Sequence, residues 1–227
     1  MQKHIKIIGI IVSVIIVIMG IYTMKKINNA TSIEVTPTED LMREHGLLNR
    51  VLLVYETCIH KLKAHELFDM RVLLDAADII KSFIEDYHEK NEEQYLFPIF
   101  EKTGTLVDEI TVLREQHVAG RKTTRNIITL TKALIEHDDQ LKRQELIEEL
   151  GAFIGMYRPH EAREDTEIFP LIRSLISAEE FEKIGEIFEE SEEKLFGKDG
   201  YSKIVHSVEE IEKALGIFDL AQFTPRS

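Results

Sequence analysis

The chain has 227 residues, with 41 Asp and Glu residues against 28 Lys and Arg residues, and its formal net charge is −13. This acidic balance argues against a nucleic acid partner, because a phosphate-binding surface requires clustered Lys and Arg side chains. Cys58 is the only cysteine, which excludes an internal disulfide and a cysteine-based metal cluster.

The start of the chain is apolar. Residues 7–24 contain no charged side chain, and a helix of this length spans about 27 Å, close to the roughly 30 Å hydrocarbon core of a bilayer. We predict one transmembrane helix in a membrane anchor over residues 1–26, followed by a polar tether over residues 27–37. Lysines flank the apolar run, and their bias predicts a single-pass membrane protein whose globular part lies on the extracytoplasmic side.

Four long helices are predicted after the tether. The first begins at a hydroxyl and proline signal around Thr36, and apolar side chains then recur at helical spacing. The predicted bounds are about 36–62, 69–100, 106–137 and 140–176. No strand pattern competes, so the fold class is all-α, with a helical bundle over residues 38–176.

A C-terminal extension over residues 177–227 is predicted to add one or two helices. Ser177 and Glu180 form a capping-box pattern that opens a fifth helix ending near Phe196, and a short sixth helix follows over about residues 201–215. The apolar stripe of the fifth helix favours packing on the bundle or a homo-oligomer contact over recognition of a different partner.

One motif occurs twice in the bundle. Residues 88–98 read H-E-x-x-E-E-x-x-L-F-P, and residues 160–170, which begin 72 positions later, read H-E-x-x-E-D-x-x-I-F-P. Another pair of histidines, His45 and His117, is separated by the same 72 positions. The chain therefore contains two helix pairs of one design.

This repetition predicts a two-metal site. Residues i and i+4 lie on one face of a helix, so each motif points a His and a Glu the same way. Burying such groups without a cation is costly, and imidazole with carboxylate is a common metal donor set. The alternative is that each His is an ordinary core or surface residue and that each acidic run is a solvent-exposed helix face. The recurrence of both the motif and the second pair of histidines at one offset argues against this alternative. The candidate metal ligands are His45, His88, Glu92, His117, His160 and Glu164.

The order of the ligands separates two kinds of bundle. Ferritin-like carboxylate sites use Glu-x-x-His twice, and this pattern is met by Glu85 before His88 but not by Tyr157 before His160. The His-rich set therefore points away from ferritin-like oxidation chemistry.

On these motifs the chain resembles the hemerythrin-like family, in particular its HHE cation-binding branch, over roughly residues 36–176. The resemblance implies an up-down four-helix bundle around a non-haem di-iron centre with an oxo or hydroxo bridge. It also implies the roles of the candidates: the four histidines are terminal ligands and the two glutamates bridge the irons. Mn or Zn would fit the same ligand set.

The chain departs from oxygen-carrying hemerythrins, which have a further His one turn from the third-helix His. Here the neighbouring positions are Leu113 and Arg121, which leaves one more coordination position open. Those proteins also use an H-x4-D pattern on the last helix, and Asp165 stands at that spacing from His160. Asp165 therefore competes with Glu164 as the bridge; we expect Glu164, because it repeats the geometry of Glu92. The flanking acidic residues are predicted mostly to face solvent, with some orienting imidazoles: Glu89, Glu93, Glu161 and Asp165.

The resulting hypothesis is a membrane-anchored di-iron protein that binds or senses O2, NO or a related small oxidant, and that is not an enzyme. Three alternatives stay open. One is a di-iron oxidase or reductase that acts on peroxide or nitric oxide, another is a metal-handling protein, and the third is a signalling module that reads the metal state through the extra helices.

Overall fold

A computed structural model describes residues 35–225, and the regular secondary structure in this part of the chain is all helical. Six helices follow one another: α1 (Pro37–Lys63), α2 (residues 71–103), α3 (Val107–Glu136), α4 (residues 140–175), α5 (Ala178–Phe196) and α6 (Gly200–Leu215). A 3-10 turn, Leu220–Phe223, follows them. The predicted bounds hold to within a few residues, so the all-α prediction is confirmed for the described residues.

The helix ends have local causes. Thr36 caps α1 and exchanges hydrogen bonds with Glu39 in a capping box, and Ser177 and Glu180 do the same for α5. Such caps satisfy backbone N–H groups that have no partner within the helix. Gly104 ends α2 in the left-handed region, with φ of 72°, a conformation that costs glycine little.

The first four helices form a closed ring. Helix α1 packs against α2 and α4, and α3 packs against the same two helices. Buried side chains from all four helices fill the interior, which is the expected arrangement of a four-helix bundle. Helix α4 continues through Pro159. Because proline has no backbone N–H, one hydrogen bond of the helix is missing directly before His160.

The apolar core is divided into two clusters by a polar layer. On α1, Leu41 belongs to one cluster and Leu47 to the other, with His45 between them. On α3, Leu113 and Ile127 belong to different clusters, with His117 between them. The two clusters therefore enclose the histidines from both sides along the helix axes.

The C-terminal extension packs on the bundle. Val208 of α6 and Phe188 of α5 are buried in the two apolar clusters, and Arg50 of α1 makes a two-pronged ion pair with Glu212 at 2.9 and 2.7 Å. Paired guanidinium–carboxylate hydrogen bonds add geometric specificity to this contact. The extension is thus part of the folded unit.

The predicted membrane anchor over residues 1–26 lies outside the described residues. Among the helices between residues 35 and 225, none combines the length and the apolar character that crossing a bilayer requires.

Candidate metal centre

Four histidines meet in the middle of the bundle, one from each of its helices. The exposed fractions of His45, His88, His117 and His160 are 1%, 2%, 0% and 4%. They approach each other in pairs, since the ring centroids of His45 and His88 lie 4.7 Å apart and those of His117 and His160 lie 4.9 Å apart.

Two fully buried glutamates lie between the histidine pairs. One oxygen of Glu92 lies 3.5 Å from Nε2 of His88, and its other oxygen lies 3.5 Å from Nε2 of His117. Oε2 of Glu164 lies 3.4 Å from Nε2 of His45 and 3.2 Å from Nε2 of His160. Each carboxylate therefore contacts both pairs.

All six residues proposed from the sequence come together. Ligand atoms of His45, His88, Glu92 and Glu164 lie within 4.8 Å of one another, as do those of His117, His160 and Glu164. Glu164 belongs to both groups, which is the placement that a bridging carboxylate requires.

The bonding of the cluster fits a metal. All four oxygens of Glu92 and Glu164 are buried and make no hydrogen bond among the described residues, which is costly unless a cation compensates them. Nε2 of His117 and Nε2 of His160 face each other at 3.2 Å. When Nδ1 carries the proton, Nε2 presents a lone pair, and two facing lone pairs need a positive charge between them.

The electrostatics of the cluster favour positive charge. Burial alone would lower the pKa of His45, but the hydrogen bond to Asp165 and the nearby carboxylate of Glu164 raise it to about 9. Burial alone would raise the pKa of Glu164, but the neighbouring His160 and His45 hold it well below 4.5. Both shifts follow from opposite charges at short range in a dry interior.

Both glutamates stand at a local change of helix geometry. Wider π-helical turns cover Glu92–Leu96 and Glu164–Ile168, again 72 positions apart, and the N–H of Phe97 donates to the carbonyl of Glu92. The proline after each phenylalanine has no N–H and cannot continue the ordinary ladder. Such turns are frequent at functional sites, and here they begin at the residue aimed into the cluster.

A ring of acceptors holds the outer nitrogens of the imidazoles. Each Nδ1 has one partner: His45 with Asp165 at 2.8 Å, His88 with Glu44 at 2.6 Å, His117 with Glu93 at 3.0 Å and His160 with Gln116 at 2.9 Å. An acceptor on Nδ1 fixes the tautomer and turns Nε2 towards the centre. Asp165 is therefore occupied in orienting His45.

Part of this ring was not predicted from the sequence. Glu44 and Gln116 were not identified, although they are also 72 positions apart and directly precede His45 and His117. The prediction that the flanking acids mostly face solvent was wrong for Glu89 and Glu161, which are 1% and 3% exposed. The common offset was the signal that could have found the ring.

Behind His117 lies a second buried network. Tyr157 donates to Glu89 at 2.6 Å, and Arg121 donates to Glu89 at 2.6 Å and to Glu93 at 2.8 Å. Burial would raise the pKa of Glu93, but its bonds to His117 and Arg121 lower it to about 2. The network keeps Glu93 ionised beneath His117.

Gly120 makes room for this network. A Cβ at this position would lie 2.0 Å from the hydroxyl oxygen of Tyr157, a distance that no side chain tolerates. The combination of Gly120 and Arg121 in α3 thus serves to admit Tyr157 and to neutralise Glu89.

Fold and site together define a helical bundle with a buried His and Glu cluster that can hold metal. Residues 36–172 match the family model of the hemerythrin HHE cation binding domain, and the chain belongs to this family. It is also 47% identical over 193 residues to the uncharacterized proteins Rv1995 of Mycobacterium tuberculosis (strain ATCC 25618 / H37Rv) and Mb2018 of Mycobacterium bovis (strain ATCC BAA-935 / AF2122/97). The alignment covers 85% of this chain and 75% of each relative.

Proposed function

We propose that the cluster holds two non-haem iron ions. His45 and His88 would bind one ion, His117 and His160 the other, and Glu92 and Glu164 would bridge them. The observation that carries this assignment is that both buried carboxylates contact both histidine pairs while forming no hydrogen bond. Imidazole with carboxylate suits iron, and Mn or Zn would fit the same donors.

We propose further that the centre binds or senses O2, NO or a related small oxidant. Iron supplies redox chemistry and open coordination positions. The positions that could have offered another imidazole hold Leu113, which is buried in the apolar core, and Arg121, which is paired with Glu89 and Glu93. Neither side chain closes the coordination shell, so an external ligand has room to bind.

Spectroscopy of the iron-loaded full-length chain tests this function. The protein is loaded with ferrous iron without air, and its ultraviolet-visible spectrum is followed on addition of O2 or NO. We expect new charge-transfer bands that are absent from a His88→Ala variant and present in a His137→Ala control, because His137 is exposed and outside the cluster. No spectral change with either gas would remove the proposed function.

One observation favours an enzyme as the second candidate. The hydrogen bonds that join His117, Glu93, Arg121, Glu89 and Tyr157 form a network beside the cluster in which the carboxyl group of Glu89 can hold a proton. This supports an oxidase or reductase of peroxide or nitric oxide. Sustained turnover with an electron donor, slowed in a Tyr157→Phe variant, would identify such an enzyme.

We also propose, from the sequence of residues 7–24, that the chain is anchored in a membrane with the bundle on the extracytoplasmic side. Expression of the full chain and of a chain lacking residues 1–34 tests this. The full chain is expected in the membrane fraction, with the bundle open to protease only from the extracytoplasmic face. Recovery of both chains in the soluble fraction would contradict the proposal.

A further inference from the structure

A cavity lies between α3 and α4 and reaches the candidate metal centre. Its volume is about 400 Å³, and His160 and Gln116 are among its lining residues. Of the six candidate ligands, His160 alone lines this cavity, and its exposed fraction of 4% is the largest of the four histidines. The cavity therefore borders the cluster at one of its six candidate ligands.

His160 is also held differently from the other three histidines. Its Nδ1 is bonded to the neutral amide of Gln116, whereas a carboxylate accepts from each of the others. Hydrogen bonds to an ionised acceptor are roughly twice as strong as those between neutral groups. His160 is thus the least firmly oriented imidazole, and it lines the cavity.

Gln116 has a free donor at this place. Its Oε1 faces Nδ1 of His160, so its NH2 group points elsewhere, and among residues 35–225 that group makes no hydrogen bond to protein. Because Gln116 lines the cavity and is half-buried, the amide can donate to a molecule that enters.

The chemistry of the cavity selects its occupant. Val112, Leu113 and Pro159 supply apolar wall, while Asp108 and Glu109 place negative charge at the rim. Arg163, the one lining cation, is paired with Glu167 at 2.7 Å. Acidic rims repel anions, and apolar walls favour uncharged molecules.

We propose that this cavity is the access and docking site for a small uncharged ligand of the metal position at His117 and His160, and that Gln116 is its positioning residue. This inference rests on the proposed function. Ligand approaches between α3 and α4, accepts from the Gln116 amide, and reaches the side of the cluster where the imidazole is held by a neutral partner.

Dissolved O2 tests the docking site without iron chemistry. Because O2 is paramagnetic, it speeds the nuclear magnetic relaxation of methyl groups close to it. The full-length chain is loaded with zinc, so that no redox reaction occurs at the metal. We expect the strongest enhancement at the Leu113 methyls, and its loss in a Val112→Phe variant. Val118→Phe is the matched control, since Val112 and Val118 are 50% and 62% exposed on one helix and Val118 does not line the cavity. Equal enhancement across surface methyls would overturn the proposal.

The association rate of NO with the iron-loaded chain gives the second readout. Val112→Phe is expected to slow association about tenfold, which corresponds to about 1.4 kcal/mol of added barrier, while metal content stays unchanged and Val118→Phe has no effect. Equal rates in both variants would overturn the access route and leave the proposed function standing. Cavity-localised O2 relaxation in the zinc-loaded chain, with no binding of O2 or NO by the iron-loaded chain, would remove the proposed function instead.

Discussion

The two halves of the candidate metal centre share an inner design and differ one layer out. The first half runs from Glu44 to Glu93 and the second from Gln116 to Asp165, with matching positions 72 residues apart. The candidate ligands repeat without change: His45, His88 and Glu92 are matched by His117, His160 and Glu164. Each pair has to present the same donor atom at the same level along the bundle axis. The outer acceptors repeat only in geometry, since Glu44 in the first half is matched by Gln116 in the second.

The next layer differs more. Buried Glu89 is bonded to Tyr157 and Arg121, whereas its counterpart Glu161 has an oxygen with no partner and a pKa that burial raises to about 7. The position matching Arg121 in the first half is Asn49. The two helix pairs thus keep the same candidate metal donors and differ in the charge behind them, which would make the two proposed metal positions unequal.

The largest effect is expected from the two carboxylates proposed as bridges. Glu164→Ala removes the one residue shared by both ligand groups, so the chain should lose affinity for both ions by more than the roughly 10–100-fold that outer residues contribute. Metal content after dialysis against a weak chelator measures this, with Glu167→Ala as the exposed control on the same helix. Retention of two ions by Glu164→Ala would show that Glu164 is not a bridge and would reopen the assignment to Asp165.

Exchanging the outer acceptors tests the inequality of the halves. Glu44→Gln should weaken zinc binding about tenfold by replacing an ionised partner of His88 with a neutral one. Gln116→Glu should change the affinity in the opposite direction, because His160 gains the partner that His88 has. Calorimetric titration with zinc resolves both. Equal and parallel changes in the two variants would mean that the halves do not differ in the way described.

Gly120→Ala is expected to destabilise the second half of the bundle. The new methyl group would overlap the Tyr157 hydroxyl, and overpacking of this kind costs about 1–3 kcal/mol. Urea unfolding of the metal-free protein measures it. Gly151→Ala is the control, since nothing lies within 4 Å of a Cβ there and Ala stabilises an exposed helix by roughly 0.5–1 kcal/mol relative to Gly. If both variants change stability alike, the close approach of Tyr157 is not real.

A smaller effect is expected at Glu85, which is the position in the first half that matches Tyr157 in the second. Burial, aided by the nearby charge of Glu89, raises the pKa of Glu85 to about 7. Between pH 4.5 and 7 the folded state then binds more protons at Glu85 than the unfolded state, so its contribution to stability is present at low pH and is lost as pH rises. Glu85→Gln should remove roughly 1–3 kcal/mol of this pH dependence.

Unfolding of the metal-free protein at pH 5 and pH 8 measures this difference. Asp86→Asn, at an exposed neighbouring position, is the control that should keep the wild-type slope. A Glu85→Gln variant whose stability changes with pH as the wild type does would show that the carboxyl group is not buried as described.

Much of this structure could be predicted from the sequence because its signals are local. Capping residues and helical spacing located the helices, and the repeated motif placed the six inward residues on one level. The outer ring was harder to find, because Glu44 and Gln116 belong to a different helix from the imidazoles they hold. Their role depends on how α1 and α3 are rotated in the bundle, which hydrophobic spacing fixes only coarsely.

The buried network was missed for a similar reason. Acidic residues in a Glu-rich helix are normally solvated. Nothing in the sequence of α2 shows that Glu89 is buried while its neighbour Lys90 is exposed. Only packing against Tyr157 and Arg121 of two other helices turns Glu89 inward.

The most direct test is the metal content of the full-length chain after anaerobic loading with ferrous iron and removal of excess metal. We expect two irons per chain in the wild type and a loss of iron in the His88→Ala and His160→Ala variants. A folded chain that retains one iron or none would contradict the two-metal centre, and the repeated histidines would then need a different explanation.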